Sequence, residues 1–309
     1  LYINHLGGGN KMYSPLVVFG YKRKNHIMNT LEALNANYLA DQTNLYIFLD
    51  GAKGDEQKEV DSVRKYVSEF AASSRFANIE IIKSKKNKGL ANSIISGVSY
   101  IIEKFGKIIV VEDDLITTKN FLNFMNDALD FYHNDNRIGM IEGYSFPSKI
   151  FDCYKHDIYL SKRGGSWGWA TWKDRWDLAD WDLNNYEQYL TSKTLQKNFL
   201  QGGTDLPYML DLQVKGKLDS WAIRWCLTMS FQNWMTVRPK YSMIKNCGMD
   251  GSGEHCAPTH DYDFNLEEKP FRLEFVEPDK RIIKEIYKKS DIRYLARVCK
   301  SIKARINSF

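Results

Sequence analysis

Between residues 14 and 142, short apolar runs alternate with longer stretches whose apolar positions recur every three or four residues. Leu16-Val17-Val18-Phe19 is the first run, and Ile27, Leu31 and Leu34 after it share one helical face. Leu45-Tyr46-Ile47-Phe48-Leu49 predicts a second strand ending in Asp50-Gly51, followed by a charged helix carrying Val60, Val63, Val67 and Phe70. Ile79-Glu80-Ile81-Ile82 is a third strand, and a helix from Gly89 to Lys104 and a fourth strand from Lys107 to Val111 complete the series. Strands that are apolar throughout, rather than alternating, are covered on both faces. The pattern predicts an α/β fold, a mostly parallel, Rossmann-like central sheet flanked by helices.

In such sheets, ligands bind beyond the carboxyl ends of the strands. Three predicted strand ends carry polar residues: Tyr21-Lys22-Arg23, Asp50, and Glu112-Asp113-Asp114. Adjacent carboxylates repel unless a positive charge sits between them, and a divalent cation is one such partner. Glu112-Asp113-Asp114-Leu115 thus points to metal-assisted chemistry on a diphosphate. The alternative is a solvated turn with Asp at the N-cap of a helix before Thr117-Thr118. Gly20-Tyr21-Lys22-Arg23 fits neither GxGxxG nor GxxxxGK[ST], which argues against dinucleotide oxidoreductases and P-loop enzymes. A nucleotide would instead be held by side chains such as Arg23 and Asp50, whose plainer readings are a helix cap and a turn pair.

The second half changes character. Three tryptophans crowd into Arg163-Gly164-Gly165-Ser166-Trp167-Gly168-Trp169-Ala170-Thr171-Trp172. Indole faces suit the apolar C–H faces of sugar rings, and equally suit a core beneath a loop. Leu218-Asp219-Ser220-Trp221 opens a helix through Ile223, Trp225, Leu227 and Phe231, with Asp219 placed as its N-cap. A carboxylate there can also serve as a general base toward an acceptor hydroxyl. Thr236-Val237-Arg238-Pro239 reads as a strand, and the glycine-rich run from Cys247 to His255 reads as a loop able to close on a diphosphate. His255 in it is a candidate metal ligand or phosphate donor, or a plain surface histidine.

Composition adds bounds. The 309 residues are 43% hydrophobic and 26% charged, as in an ordinary globular chain. Five cysteines without CxxC spacing argue against a disulfide framework or structural zinc, and for a reducing compartment. There is no glycosylation sequon, no signal peptide and no apolar run approaching eighteen residues, so a cytoplasmic location is expected. Residues 1–13, with Gly7-Gly8-Gly9, read as a leader outside the fold. From Asp279 to Phe309, ten Lys/Arg stand against three Asp/Glu, whereas the whole chain carries only +5. Ile282, Ile283, Ile286, Tyr287, Leu295, Val298 and Ile302 make this tail a basic amphipathic helix. It either docks on the protein or rests on an anionic membrane surface, which would place the chain at the inner face of a membrane. Nucleic acid is not expected as a partner, because the excess charge is confined to the tail. The expected divisions are a donor-binding half (14–145), an acceptor-binding and catalytic half (146–275) and the tail (276–309).

The order Tyr21-Lys22-Arg23, Leu49-Asp50, Gly89-Leu90-Ala91-Asn92, Val111-Glu112-Asp113-Asp114-Leu115, Gly168-Trp169 and Leu218-Asp219-Ser220-Trp221 resembles GT-A-fold nucleotide-sugar glycosyltransferases. It is most similar to the inverting N-acetylglucosaminyltransferase I-like group and to bacterial family 2-like transferases of surface polysaccharide synthesis. The similarity spans roughly residues 14–260. It implies a metal-dependent hexosyl- or N-acetylhexosaminyltransferase using Mn²⁺ or Mg²⁺, a UDP-linked donor and a glycan or glycoconjugate acceptor. Asp114 would hold the metal, with His255 as a second candidate ligand on the closing loop. Asp113 would face the ribose, Arg23 and Asp50 the base, and Glu112 and Asn92 would complete the donor side. No histidine stands at Asn92-Ser93, where the first group contacts the base. Asp219 would be the catalytic base, with Trp167, Trp169 and Trp221 on the acceptor side. A sugar nucleotidyltransferase and a non-catalytic carbohydrate-binding protein are the alternatives. The first would share the metal carboxylates, and the second would account for the tryptophans.

Overall fold

The computed structural model describes residues 12–251 and 264–290. Strands β1 (Leu16–Gly20), β2 (Asn44–Leu49), β3 (Asn78–Lys83) and β4 (Lys107–Glu112) alternate with helices α1 (Lys24–Asn35), α2 (Gln57–Ser73) and α3 (Leu90–Phe105). Within two residues at each end, these are the elements the apolar pattern predicts. The second half supplies β5 (Leu115–Thr117), α4 (Phe121–Phe131), β6 (Ile138–Glu142), β7 (Ile158–Ser161) and β8 (Trp169–Trp172). After the short α5 (Lys173–Trp176) come three helices, α6 (Tyr186–Thr191), α7 (Lys193–Leu200) and α8 (Leu206–Val214). The order closes with α9 (Trp221–Gln232), β9 (Met235–Pro239), β10 (Ile244–Asn246) and α10 (Lys280–Lys289).

The main sheet runs β3-β2-β1-β4-β8-β6-β9-β7. Neighbours are parallel from β3 to β4 and between β6 and β9, whereas β8 runs against β4 and β6, and β7 against β9. Strand side chains alternate between faces. Leu16 and Val18 accordingly join one core with Leu45, Ile47, Ile109 and Val111, whereas Val17 and Phe19 join the other with Tyr46, Ile108 and Val110. Helices α1, α2 and α4 cover the first face, and α3 and α9 cover the second. Each buried aliphatic side chain contributes about 1.5–3 kcal/mol relative to exposure, so strands apolar on both faces are held in the middle of the sheet under helices on either side. Helix α9 is buried on two sides: Trp221 and Trp225 face the sheet, and Ile223, Cys226 and Leu227 face α7 and α8.

The described part of the basic tail is α10. It lays Ile282 and Ile286 into the core, while Lys280, Arg281 and Lys284 stay exposed. Ile282 and Ile286 are therefore spent on the protein, whereas Tyr287 stays exposed beside the basic residues. Of the two expectations for the tail, docking on the protein is what this part of it does; residues 291–309 fall outside the described part. No helix among the described residues is long and apolar enough to cross a membrane. Cys153 and Cys226 are free thiols.

A buried ion network joins the far end of the sheet to the loop before β8. Glu142, 1% exposed at the end of β6, lies 2.5 Å from an Arg238 nitrogen on β9 and packs close against Gly165. Arg163, in the same loop, grips Asp205 with two bonds of 2.7 and 2.8 Å. Burial pushes the Glu142 carboxyl up to about 7, against the opposing pull of Arg238 and Arg163. The folded value lies above the ordinary 4.5, so the fold favours the protonated acid. That contribution to stability is complete below pH 4.5 and fades as pH rises toward 7. Glu142→Gln cannot ionise and should gain on the wild type by on the order of 3 kcal/mol between pH 5 and pH 8. Urea unfolding at both pH values measures the gap; a gap independent of pH would contradict the assignment.

Candidate active site

The site is built where β4 ends. Four apolar residues, Ile108 to Val111, drive β4 through the middle of the sheet and deliver Glu112, Asp113 and Asp114 at its carboxyl edge. The acidic turn leads into a strand, β5, rather than into a helix, so neither aspartate is an N-cap. Strand β5 pairs antiparallel with β10, Leu115 opposite Asn246. Thr30 of α1 donates to the Asp113 carbonyl (2.7 Å) and accepts from the Leu115 N–H (3.1 Å). From the other side the Cys247 N–H donates to the Asp114 carbonyl at 2.8 Å. The backbone carrying the two carboxylates is thus pinned by two separate segments of chain.

Their charge is balanced by Arg23, the residue before α1. One guanidinium nitrogen donates to Asp113 and, at 2.8 Å, to Asp114 Oδ2. Burial opposes the Arg23 charge, and Asp113 and Asp114 more than reverse that, so its pKa is raised further. Burial pushes Asp113 up to about 6 although Arg23 pulls it down, and lifts Glu112 to about 8, with Asp114 and Asp113 adding to the rise. The Ser166 side chain pulls Glu112 the other way. Arg23 Nη1 is buried without a hydrogen-bond partner, a donor still available to an anion.

These groups face a cavity of about 460 Å³, well within the size range of small-molecule sites. The ends of β1 to β4 and the start of α3 form one wall, and Met209 of α8, Leu218 and Asp219 of the linker after it, and Trp221 of α9 form the other. Asp50 lines the cavity, but its carboxylate accepts the backbone N–H groups of Gly51, Lys88 and Gly89 at 2.8–3.1 Å. It therefore moulds the loop between β3 and α3. Asp219 is not the N-cap of α9; Ser220 is, accepting the Ile223 N–H on its side-chain oxygen. Freed from capping, Asp219 turns its half-exposed carboxylate into the cavity and pairs with Arg224 at 2.5 Å.

Two expected site residues lie elsewhere. Asn92 is exposed and bonds back to the Lys88 carbonyl at 3.1 Å; on α3 it is Leu90 and Ser93 that line the cavity. Trp169 is fully buried, its ring stacked on Trp176 and Trp221 at 5.7 and 4.6 Å. It is a core residue and offers no face to an acceptor, because its strand turns it onto the α3–α9 side of the sheet. Trp167 and Trp221 do line the cavity. His255 falls outside the described residues.

The sequence reading missed Ser166, Asn246, Gly248 and Arg224. Asn246 and Gly248 reach the cavity only because β10 pairs with β5, more than a hundred residues earlier in the chain, which no local pattern announces. Gly248 did carry a signal as one of several closely spaced glycines. A Cβ there would lie 2.0 Å from Asp114 Oδ2 and 3.0 Å from Arg23 Nη1.

No family model and no curated sequence matches the chain. Among solved structures it is similar to a mannosyltransferase of Pyrobaculum calidifontis in complex with GDP-mannose and Mn²⁺. The two share 12% identity at a TM-score of 0.37, over 52% of this chain and 46% of that one. It is also similar to S. aureus TarS 1–349, at 11% identity and a TM-score of 0.44 over 75% of this chain and 60% of that one. The same TarS fragment with UDP-GlcNAc gives 11% and 0.43, over 75% and 58%. The chain thus spans about half the length of these proteins, and likenesses this distant do not assign its chemistry.

Gly248→Ala should displace the Asp114 carboxylate while leaving both cores untouched. Isothermal titration with a nucleoside diphosphate and Mn²⁺ should show affinity reduced at least about tenfold, roughly 1.4 kcal/mol, with the thermal midpoint nearly unchanged. Wild-type affinity would mean that Asp114 does not contact the ligand.

Proposed function

We propose that the chain is a glycosyltransferase that moves a monosaccharide from a UDP-linked sugar to a hydroxyl of a glycan or glycoconjugate, inverting the anomeric centre in one displacement. The supporting observation is the meeting of Asp114, Arg23 and Asp219 on one cavity at the carboxyl ends of the parallel strands. A diphosphate leaving group needs cations. Arg23 supplies one, with Nη1 unused, and Lys22, Lys53 and Lys88 line the same cavity.

The acidic turn fits a divalent cation in a particular way. No group of three or more His, Cys, Asp or Glu among the described residues forms an all-protein cage. Asp113 and Asp114 already converge on a single positive charge, however, and one or two carboxylates completed by phosphate oxygens and water are what Mg²⁺ or Mn²⁺ takes. Asp114 would hold the ion with Asp113 beside it, and the bound ion would supply Lewis-acid neutralisation of the departing diphosphate.

The protein's own groups carry the remaining roles. Arg23 binds phosphate through its unused donor. The loop fixed by Asp50 borders the nucleoside. Trp167 and Trp221 present ring surface to the sugars. Asp219 accepts the proton of the acceptor hydroxyl while that oxygen bonds to the anomeric carbon. The bond from this carbon to the diphosphate breaks, its electron pair leaves with the phosphate oxygen, and the proton remains on Asp219. No covalent enzyme intermediate is required.

Asp219→Asn should leave donor affinity within about twofold of wild type and lower turnover by ~10²–10⁴. Asp114→Ala should abolish stimulation by Mn²⁺. Release of nucleoside diphosphate from a panel of nucleotide sugars, with and without a glycan acceptor, measures both. Wild-type turnover in Asp219→Asn would overturn the base assignment.

A further inference from the structure

We propose that Arg224 is a positioning residue: it orients Asp219 so that one carboxylate oxygen is committed to the protein and the other is presented to the acceptor. The inference rests on the transferase reading of Asp219.

Asp219 lies on the linker between α8 and α9, outside either helix, and its side chain is 52% exposed. The linker backbone is well tied: the N–H groups of Lys217 and Leu218 reach the Leu212 carbonyl at 2.8 and 3.2 Å, and the Ser220 N–H reaches Gln213 Oε1 at 2.7 Å. These bonds fix the Cα of Asp219 but leave its side-chain torsions free. An exposed aspartate on such a linker would populate several rotamers.

Arg224, one turn into α9, removes that freedom. Its side chain is only 14% exposed, and its Nη2 holds Asp219 Oδ1 at 2.5 Å. The buried partner is the anchor and the exposed one is the group held. The grip is single-pronged: Arg224 Nε is buried with no partner, and Oδ2 of Asp219 makes no hydrogen bond among the described residues. That oxygen faces the start of α3, 4.0 Å from where a Cβ on Gly89 would lie. Gly89 itself lines the cavity. A fork of two bonds would have occupied both oxygens; this arrangement leaves one lone-pair face directed at the space where an acceptor hydroxyl must arrive. Orientation of this kind acts on the chemical step and not on donor binding, which is centred on β1 and β4.

The test compares Arg224→Met, Arg224→Lys and Arg224→Met in the Asp219→Asn background, using transfer kinetics, donor titration and a crystal structure of Arg224→Met. Loss of orientation should lower kcat about 10–100-fold, while donor KM and Kd stay within about twofold. Arg224→Lys, which keeps the charge at the same place and guards against a misfolded Met variant, should recover part of the loss. In the Asp219→Asn background the Met substitution should cost nothing further, and Asp219 should occupy more than one rotamer in the crystal. A raised donor KM with intact kcat, a loss that adds fully to that of Asp219→Asn, or a single unchanged Asp219 rotamer would each overturn the proposal. Absence of transfer by the wild type would overturn the transferase reading instead. The Asp219 rotamer would then still decide whether Arg224 orients it.

Discussion

The architecture of the site depends on one guanidinium between two carboxylates. Asp113 and Asp114 lie at the end of a strand buried on both faces, and Asp113 is only 6% exposed. Two adjacent anions in such a place are tenable only with compensation. Arg23 provides it from the start of α1, and leaving either charge unpaired would cost on the order of 3–5 kcal/mol. Everything around the pair serves its geometry. Thr30 and Cys247 fix the backbone of the turn, and Gly248 leaves room for the Asp114 carboxylate. The same triad is what an anionic ligand would meet first, because Arg23 retains a buried donor without a partner.

A second constraint is the division of labour among the tryptophans. Trp169, Trp176, Trp181, Trp221, Trp225 and Trp234 stack in one layer between the sheet and α9. This layer holds α9 rigidly against β8, and α9 in turn carries Ser220, which caps it, and Arg224, which holds Asp219. Aromatic packing therefore reaches the chemistry indirectly, by fixing the helix that presents the carboxylate. Trp221 belongs to both settings, packed on Trp169 at 4.6 Å and bordering the cavity.

The half of the fold built from continuous apolar strands was legible in the sequence, because burial on both faces leaves an unambiguous trace. The acidic turn and Asp219, both singled out in the sequence, line one cavity. The capping role was misassigned because Asp219 and Ser220 are both good N-caps, and the choice was made by Arg224, which draws the aspartate away. Asn92 was expected on the donor side, yet neighbouring helical residues point about 100° apart. The burial of Ala91 and Ile94 places Asn92 on the outer face. Trp169 was misread because periodicity cannot tell a tryptophan facing a core from one facing a cavity. The pairing of Asp113 and Asp114 with Arg23, ninety positions earlier in the chain, is not part of the sequence reading. That pairing is tertiary, and only the folded sheet brings β1 beside β4.

The most direct test of this account is a crystal structure of the protein with Mn²⁺ and UDP, the manganese located by its anomalous signal. The account predicts the diphosphate in the cavity at the ends of β1 and β4, the ion on Asp114 and the Arg23 guanidinium against a phosphate oxygen. A diphosphate bound elsewhere, or an Asp114 still held only by Arg23 while the ligand is in place, would contradict it.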